Sequence, residues 1–188
     1  MTEPTTVGDL RPDFDDAPGR AARFWRNRRF ARIRHRLARL RRLSGSFTRA
    51  HARLVRWSGG RITRSFLFTG GMPILVLTTT GRRTGKRRST PVGYLPHRGG
   101  YAVLASNAGS DRTPAWWLNL QAEAHARVLV GRTALPVLAR PADAEEATTL
   151  WSTFARLNAG FDEYRRLTDR DIPVVVLEPA PYLRSPGT

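Results

Sequence analysis

Six short runs of β-type residues in the second part of the chain constrain its fold more than any other feature. Each run is rich in Val, Leu, Thr and Tyr, and turn residues such as Gly, Pro, Asn and Asp separate the runs. Six strands in a chain of 188 residues favour one domain built as a barrel or a strongly curled sheet. The predicted strands are residues 73–80, 89–95, 101–106, 126–130, 135–139 and 172–177.

Two helices are predicted between these strands. Residues 114–122 begin with a proline, which suits the first turn of a helix, and carry Trp116, Trp117, Leu118 and Leu120 as packing residues. A second helix begins at Asp143, where Asp143 and Glu146 have the spacing of a capping box, and it should end near Gly160. The fold class is therefore predicted as α+β.

The charge of the chain is concentrated in its first half. The formal net charge is +17, and residues 1–98 hold 23 Lys and Arg against 5 acids, whereas residues 99–188 hold 9 against 10. No Asp or Glu lies between Ala17 and Ser110. This half should attract phosphate, carboxylate, nucleic acid or anionic lipid, and the sign of the charge alone does not choose among them.

The sequence before the strands divides into two parts. Residues 1–19 are predicted to be a disordered tail, residues 20–64 a basic amphipathic helical extension, and residues 65–182 the barrel domain. Eleven arginines and no acid lie in residues 20–43, where Phe30, Ile33, Leu37 and Leu40 follow helical spacing. Three interpretations stay open: a membrane-surface anchor, which the interleaved aromatic residues favour, a nucleic-acid-binding helix, or a face packed on the barrel.

The sequence also excludes several classes of site and location. The absence of cysteine excludes disulfides, thiolate metal sites and cysteine nucleophiles. The histidines are isolated, so we expect surface residues and no metal site; they are His35, His51, His97 and His125. Neither a secretory signal nor a run of roughly 20 apolar residues occurs. We expect a cytoplasmic protein, peripheral on the cytoplasmic face of the membrane if the basic helix binds lipid.

A cationic turn between the first two predicted strands is the first candidate site. Residues 81–88 read Gly-Arg-Arg-Thr-Gly-Lys-Arg-Arg, and we call them the Gly81 turn. Glycines let the backbone present N–H groups, and the cations can make charge-assisted hydrogen bonds to phosphate or carboxylate. The spacing is not that of a Walker loop. By itself the pattern fits a solvated basic hairpin as well as a ligand site.

A second candidate site follows the third predicted strand. Residues 105–111 are small and polar, and they lead into the helix that carries Trp116. Small residues let a planar ring lie close to the main chain, where N–H groups can bond to ring carbonyls and an indole can cover one side. An ordinary loop before a packed helix explains the pattern equally well.

Together and in this order, these motifs resemble the deazaflavin (F420)-dependent nitroreductase family over about residues 66–179. The resemblance implies a split β-barrel like that of the FMN-binding pyridoxamine-oxidase group, with coenzyme F420 in place of FMN and often two subunits. The motifs that carry it are residues 75–85, 89–94, 105–107, 114–120 and 168–179.

The resemblance implies roles for individual residues. The phosphate and polyglutamate tail of F420 map onto Arg82, Arg83, Thr84, Gly85, Lys86 and Arg88. The deazaflavin ring maps onto Ser106, Asn107, Ala108 and Gly109, with Trp116 close by. Asn107 stands where relatives often have a cation.

The resemblance also implies a reaction, which is hydride transfer from F420H2 to a quinone, a nitro compound or another conjugated acceptor. Tyr164 and Ser106 are the candidate catalytic residues, as proton donors. Relatives place several tyrosines over the ring, whereas this chain has Asn158 and Phe161 in that region, which leaves nitroimidazole reduction open. The alternative is a non-catalytic barrel that stores F420 or binds an anionic partner, a nucleic acid or a membrane surface.

Overall fold

The computed structural model describes residues 72–158 and 160–180, and these form six strands and three helices around a barrel. The predicted tail and basic helical extension lie outside the described residues. In chain order the elements are β1 (Ile74–Thr80), β2 (Arg87–His97), β3 (Gly100–Leu104), a short 3-10 turn (Asn107–Gly109), α1 (Ala115–Ala122), β4 (His125–Val130), β5 (Thr133–Pro141), α2 (Ala144–Leu157), α3 (Gly160–Arg166) and β6 (Val174–Pro179).

The six strands close an antiparallel barrel in the order β1-β2-β3-β6-β5-β4. The predicted α+β fold and barrel are therefore confirmed. Each predicted strand corresponds to an observed one, with ends shifted by one or two residues. The third strand stops at Leu104, so Ala105 and Ser106, which the prediction included, follow it instead.

Strand β2 has a hydrogen-bonded neighbour on each side over different parts of its length. Its first half pairs with β1, from Arg87 opposite Thr80 to Gly93 opposite Ile74. Its second half pairs with β3, from Tyr94 opposite Val103 to His97 opposite Gly100. Among the described strands, the first half of β2 thus has a hydrogen-bonded partner on one side only, and we call its other side the open edge of β2.

The barrel interior is filled by alternate residues of the strands. Large side chains that are at most 1% exposed fill its centre, and they include Leu75, Leu77, Val103, Val128, Val175 and Leu177. Trp116, Trp117 and Leu120 of α1 pack against this cluster. The helix that follows the second candidate site is therefore fixed to the barrel core.

A second apolar cluster joins α2 and α3 to the outside of the barrel. Leu150, Trp151 and Phe154 of α2 and Phe161 of α3 pack with barrel residues that include Ala102, Leu104, Val174 and Val176. Asp143 caps α2, because its Oδ1 accepts the backbone N–H of Glu146 at 2.8 Å. Helix α2 ends at Leu157, close to the prediction, whereas α3 is a helix that the sequence pattern did not reveal.

A buried carboxylate fastens α2 to the barrel. Glu146, whose side chain is 2% exposed, lies 2.6 Å from Arg140 Nη1 and 2.6 Å from His97 Nε2, and Arg140 also binds Glu178. The hydrogen bond from Arg140 is the main cause that lowers the pKa of Glu146 to about 2, although burial opposes it. The expectation that His97 is an isolated surface residue is wrong, since its ring bonds to Glu146.

None of the described helices is long and apolar enough to span a bilayer.

Candidate functional site

The Gly81 turn is held by hydrogen bonds within its own backbone. Gly81 N–H donates to Lys86 O at 2.9 Å, and the N–H groups of Thr84 and Gly85 both donate to Gly81 O. A side chain at Gly81 would bring its Cβ to 2.9 Å from Lys86 O, and Gly85 has a φ of +65°. Both glycines are therefore needed for a turn this tight.

Asn119 of α1 connects the Gly81 turn to the barrel core. Its Oδ1 accepts the backbone N–H of Arg82 at 3.2 Å, and its Nδ2 donates to Thr79 Oγ1 at 3.1 Å. Asn119 and Thr79 are 4% and 1% exposed, so these bonds are shielded from water. The prediction gave Asn119 no role, although a polar residue among Trp116, Trp117 and Leu120 is the signal that could have revealed one.

The structure brings together the side chains predicted to bind the cofactor tail. Arg82, Arg83, Thr84, Gly85, Lys86 and Arg88 are all exposed on the one turn. No carboxylate of the described residues pairs with its cations. These four of the five cations of the turn are thus exposed on one feature, where they provide charge-assisted donors for a ligand with several anionic groups.

Neighbouring arginines at the end of this turn face opposite sides of the sheet. Arg87 lines a shallow cavity of about 190 Å³ with Thr78, Thr80, His125 and Arg127. The Cγ of Arg88 lies instead 3.6 Å from the Cβ position built on Gly81, on the side of the turn itself. Successive side chains of a strand alternate in this way. The two arginines thus offer a matched comparison for the role of this charge.

The segment after β3 has an unusual backbone. Asn107, Ala108 and Gly109 have φ values of +45°, +54° and +72°, so three consecutive residues are left-handed. Such a conformation costs a residue with a side chain about 1–3 kcal/mol, less for Asn than for Ala. We call residues 106–109 the Ser106 segment; its shape must be maintained by contacts with other parts of the chain.

Arg170 supplies many of these contacts. Its Nη2 donates to Ala105 O at 3.0 Å and to Ser106 O at 2.7 Å, and its Nε donates to Ser110 O at 2.8 Å. Partial burial lowers the pKa of Arg170 from its ordinary value, while Asp111 acts to raise it. Arg170 occurs in a motif of the family resemblance, but the sequence gave it no role because it lies more than sixty positions from its partners.

Helix α3 lies against the Ser106 segment. A Cβ built on Gly109 would be 3.1 Å from Leu167 Cβ and 3.2 Å from Tyr164 Cα. The half-buried Tyr164 ring meets the Phe161 ring edge to face at 5.6 Å. The structure therefore brings the two predicted catalytic positions, Ser106 and Tyr164, into one region.

Asn158 and Phe161, the departures noted in the sequence, have structural roles. Asn158 is 2% exposed, and its Oδ1 accepts the backbone N–H of Gly160 at the start of α3. Phe161 packs against Phe154, with ring centroids 5.5 Å apart. Both positions thus contribute to the attachment of α3.

Trp116, predicted to lie beside the ring, is 7% exposed and belongs to the core cluster. Its position is on the first turn of α1, between the Ser106 segment and Asn119. Because so little of its surface is exposed, Trp116 can contact a ligand with one edge of its indole ring, and a ligand cannot stack on the full face of that ring.

The open edge of β2 connects the two candidate sites. Because Tyr94 pairs with Val103, Leu104 at the end of β3 is level with Gly93. The beginning of β2 at Arg87 lies about 20 Å further along that strand. The residues between them, 89–93, are all half-buried. The geometry fits an elongated ligand with a planar end near the Ser106 segment and an anionic end at the Gly81 turn. The described residues include no cluster of His, Asp and Glu that could hold a metal ion.

Comparisons with known proteins identify relatives of this chain. A family model described as F420H(2)-dependent quinone reductase matches residues 47–179. An F420H(2)-dependent quinone reductase of Mycobacterium tuberculosis is 34% identical over 132 residues, which cover 69% of this chain and 87% of that protein.

Two solved structures also resemble the chain. One, an F420-H2 dependent reductase, has a TM-score of 0.52 and 36% identity, and the match covers 56% of this chain and 94% of that one. Another, described as a domain-swapped dimer, has a TM-score of 0.53 and 33% identity, with 66% and 97% covered.

Proposed function

This chain belongs to the F420H(2)-dependent quinone reductase family, and from that membership we propose that its Gly81 turn and Ser106 segment bind the two ends of coenzyme F420. The protein is an oxidoreductase that uses F420H2 to reduce quinones. F420 when bound supplies a hydride from its deazaflavin ring. The residues of the chain bind the cofactor, hold the acceptor against it and deliver the proton that the acceptor takes up.

The observation that carries this proposal is the exposed cationic turn, unpaired with any described carboxylate, at one end of the open edge of β2. The phosphate and glutamate carboxylates of F420 are acceptors for Arg82, Arg83, Lys86 and Arg88, and the Thr84 hydroxyl adds a neutral donor. Asn119 keeps the backbone of this turn in place. Little rearrangement of the turn would then be needed on binding.

At the other end, the Ser106 segment would hold the deazaflavin ring. Backbone N–H groups near Ser106, Asn107 and Ala108 are donors for ring carbonyls and nitrogens, and Gly109 lets the main chain approach α3 closely. The buried indole of Trp116 follows the segment on the first turn of α1 and packs in the barrel core. FMN is the less suitable cofactor, because it ends at its phosphate and has no glutamate carboxylates to reach the cations of the turn.

The acceptor would lie between the ring and α3. A planar quinone must stack closely on a hydride donor, and conversion to the hydroquinone consumes one hydride and one proton. Tyr164 and Ser106 carry the hydroxyl groups proposed to deliver that proton. A nitro compound or another conjugated acceptor of similar shape would use the same space.

The test is an absorbance titration of the pure protein with F420H2, followed by menadione. We expect F420H2 to be oxidised repeatedly once menadione is present, because the family assignment predicts turnover. Binding of F420H2 without oxidation, with menadione and with several other quinones, would favour the alternative of a storage protein. A Tyr164→Phe variant should bind F420 as the wild type does and turn over more slowly.

We also propose that the protein acts at the cytoplasmic surface of the membrane, where lipid-soluble quinones are concentrated. The arginines and aromatic residues of residues 20–43 support this proposal. Replacing Arg26, Arg28, Arg29 and Arg32 by glutamine should reduce sedimentation with anionic vesicles without changing turnover of menadione. Equal sedimentation of both proteins would exclude the anchor. A homodimer is a further proposal, supported by the relative described as a domain-swapped dimer.

A further inference from the structure

We propose that Arg170 is a positioning residue for hydride transfer, because its guanidinium fixes the peptide groups that present N–H donors to the cofactor ring. The inference rests on the proposed function, since it concerns the Ser106 segment, which is the part of the site assigned to the ring. It adds a residue outside that segment on which the ring geometry depends.

The hydrogen bonds of Arg170 join both ends of the Ser106 segment. Before the left-handed residues, the carbonyls of Ala105 and Ser106 both accept from Nη2, at 3.0 and 2.7 Å. After them, the carbonyl of Ser110 accepts from Nε at 2.8 Å. One planar side chain therefore fixes the distance between the two ends of the turn.

The direction of these carbonyls determines the direction of the N–H groups. In a trans peptide, the C=O of one residue and the N–H of the next point opposite ways. Since the carbonyls of Ala105 and Ser106 point at the guanidinium, the N–H groups of Ser106 and Asn107 point away from it. Arg170 thereby aims two neighbouring donors to the same side of the segment.

The other described hydrogen bonds of the segment leave the Ala105 carbonyl to Arg170. Within the turn, Gly109 N–H also donates to Ser106 O at 2.9 Å, and Ser110 N–H donates to Asn107 O at 3.2 Å. Asn107 Nδ2 donates to Arg112 O at 2.9 Å, which fastens a side chain that follows both peptides. Gly109 contacts Tyr164 and Leu167 of the α3 region at the far end of the turn. Among the described contacts, Arg170 is thus the side chain that holds carbonyls on both sides of the three left-handed residues.

The charge of Arg170 acts in the same direction as its geometry. A cation that binds a carbonyl polarises the peptide group and strengthens the N–H donor on its other side. Asn107 is uncharged, and its side-chain amide donates to the backbone carbonyl of Arg112. Among the described contacts, the cation bonded to these peptide groups is Arg170. Arg170 would thus support negative charge on a bound ring through one intervening peptide group.

Three full-length variants test the inference. Arg170→Gln removes the charge and most of the donors, and Arg170→Lys keeps the charge but loses the planar fork. Arg166→Gln is the matched control, because Arg166 is an exposed arginine at the end of α3 and its loss removes the same charge nearby. Hydrogen exchange of residues 105–111 in the cofactor-free proteins, F420 affinity, and kcat and KM for menadione are measured for each.

We expect Arg170→Gln to speed exchange in residues 105–111 about 10-fold and to lower kcat about 10- to 100-fold, with a smaller change in the KM for menadione. Arg170→Lys should recover F420 affinity more than kcat, since charge returns without the geometry. Arg166→Gln should match the wild type in all measurements.

Two outcomes would overturn the inference. Unchanged kcat and F420 affinity in Arg170→Gln, together with faster exchange, would make Arg170 a purely structural residue. Full recovery of kcat in Arg170→Lys would show that charge suffices and that the fork positions nothing. Failure of the proposed function would look different, because the wild-type protein itself would then neither bind F420 nor oxidise F420H2, whereas the exchange measurement would still report on the contacts of Arg170.

Discussion

Gly81 and Gly109 are the residues where backbone space decides the shape of the site. Each lies where a Cβ would meet another part of the chain within 3.1 Å, Lys86 O for Gly81 and the Leu167 side chain for Gly109. The sequence could indicate Gly81, because two glycines and several cations occur together. The need for glycine at position 109 depends on α3, which the sequence did not predict.

Gly109→Ala should therefore destabilise the protein by about 1–3 kcal/mol, because it combines a φ of +72° with a steric conflict. Thermal unfolding of Gly109→Ala/Leu167→Ala is the comparison. The double variant removes the contact with Leu167 Cδ1 and should recover part of the steric cost, whereas the contacts with Leu167 Cβ and Tyr164 Cα and the backbone cost remain. Equal stability of Gly109→Ala and wild type would contradict the close packing of α3 on the segment.

The cationic side chains of the Gly81 turn lead to a prediction about affinity. Arg82→Ala/Arg88→Ala should weaken F420 binding strongly, since each lost charge-assisted hydrogen bond costs about 1.5–3 kcal/mol. Arg87→Ala is the control, because Arg87 carries the same charge but lines the cavity on the other face. Calorimetry that gave both variants the same loss would count against the tail assignment.

Asn119 and Arg170 show what kind of residue a single sequence does not reveal. Their partners lie 37 to 65 positions away, and the contacts exist only once the barrel has brought those segments together. Asn119 supports the Gly81 turn and Arg170 supports the Ser106 segment. The residues of each supported segment are neighbours in sequence, which is why the two segments could be predicted and their supports could not.

At the level of elements, α2 is attached to the barrel by the buried Glu146. The folded-state pKa of this carboxyl, about 2, is lower than its ordinary value, so ionised Glu146 stabilises the folded protein. That stability is fully present above the ordinary pKa of about 4.3 and is lost as the pH falls towards the folded-state value.

Unfolding measured by denaturant between about pH 2 and pH 7 should show this loss below about pH 4.3. Glu146→Gln should be less stable by about 3–5 kcal/mol at neutral pH, since Arg140 loses its buried partner, and should depend less on acid. Asp143→Asn keeps a capping group and should preserve the acid dependence. An identical pH profile for Glu146→Gln and wild type would exclude the ion pair as its source.

Helix α3 is the element that sequence patterns missed, and its size explains why. The seven residues of Gly160–Arg166 form a helix too short to show an apolar periodicity in the sequence. Individual side-chain contacts attach this helix to α2. Trp151 Nε1 donates to Asp162, and the guanidinium of Arg165 lies 3.5 Å from the centre of the Trp151 ring. Strands β1 to β6 were predictable because their alternation or continuous burial extends over five or more residues each.

For the whole molecule, the separation of charge along the chain makes binding of a polyanionic cofactor depend on salt. Raising the ionic strength from about 0.05 to about 0.5 M should weaken F420 binding, because it shortens the range of the attraction. Arg82→Ala/Arg88→Ala should show a shallower dependence, and Arg87→Ala should resemble the wild type. Affinity independent of salt would mean that the cations of the turn contribute little.

The barrel was predictable in outline from the sequence, whereas the open edge of β2 was not. Counting six β-type runs indicates a barrel, whereas the length of pairing between β2 and each neighbour depends on a register that the sequence pattern leaves undetermined. The predicted second strand was four residues shorter than the observed eleven, and those missing ends include Arg87 and Arg88. The sequence thus suggested both candidate sites and most of the strand between them, without the edge of that strand which connects them.

One continuous strand, β2, runs from the Gly81 turn to the level where β3 stops. Its length therefore sets the distance between the two candidate sites. A ligand gains from both ends only if its own anionic and planar parts match that fixed span. Shorter ring compounds that carry a single phosphate can satisfy one end at a time, however many donors each end offers. Selection among flavin-like cofactors would then be a matter of molecular length, set by the backbone of a single strand.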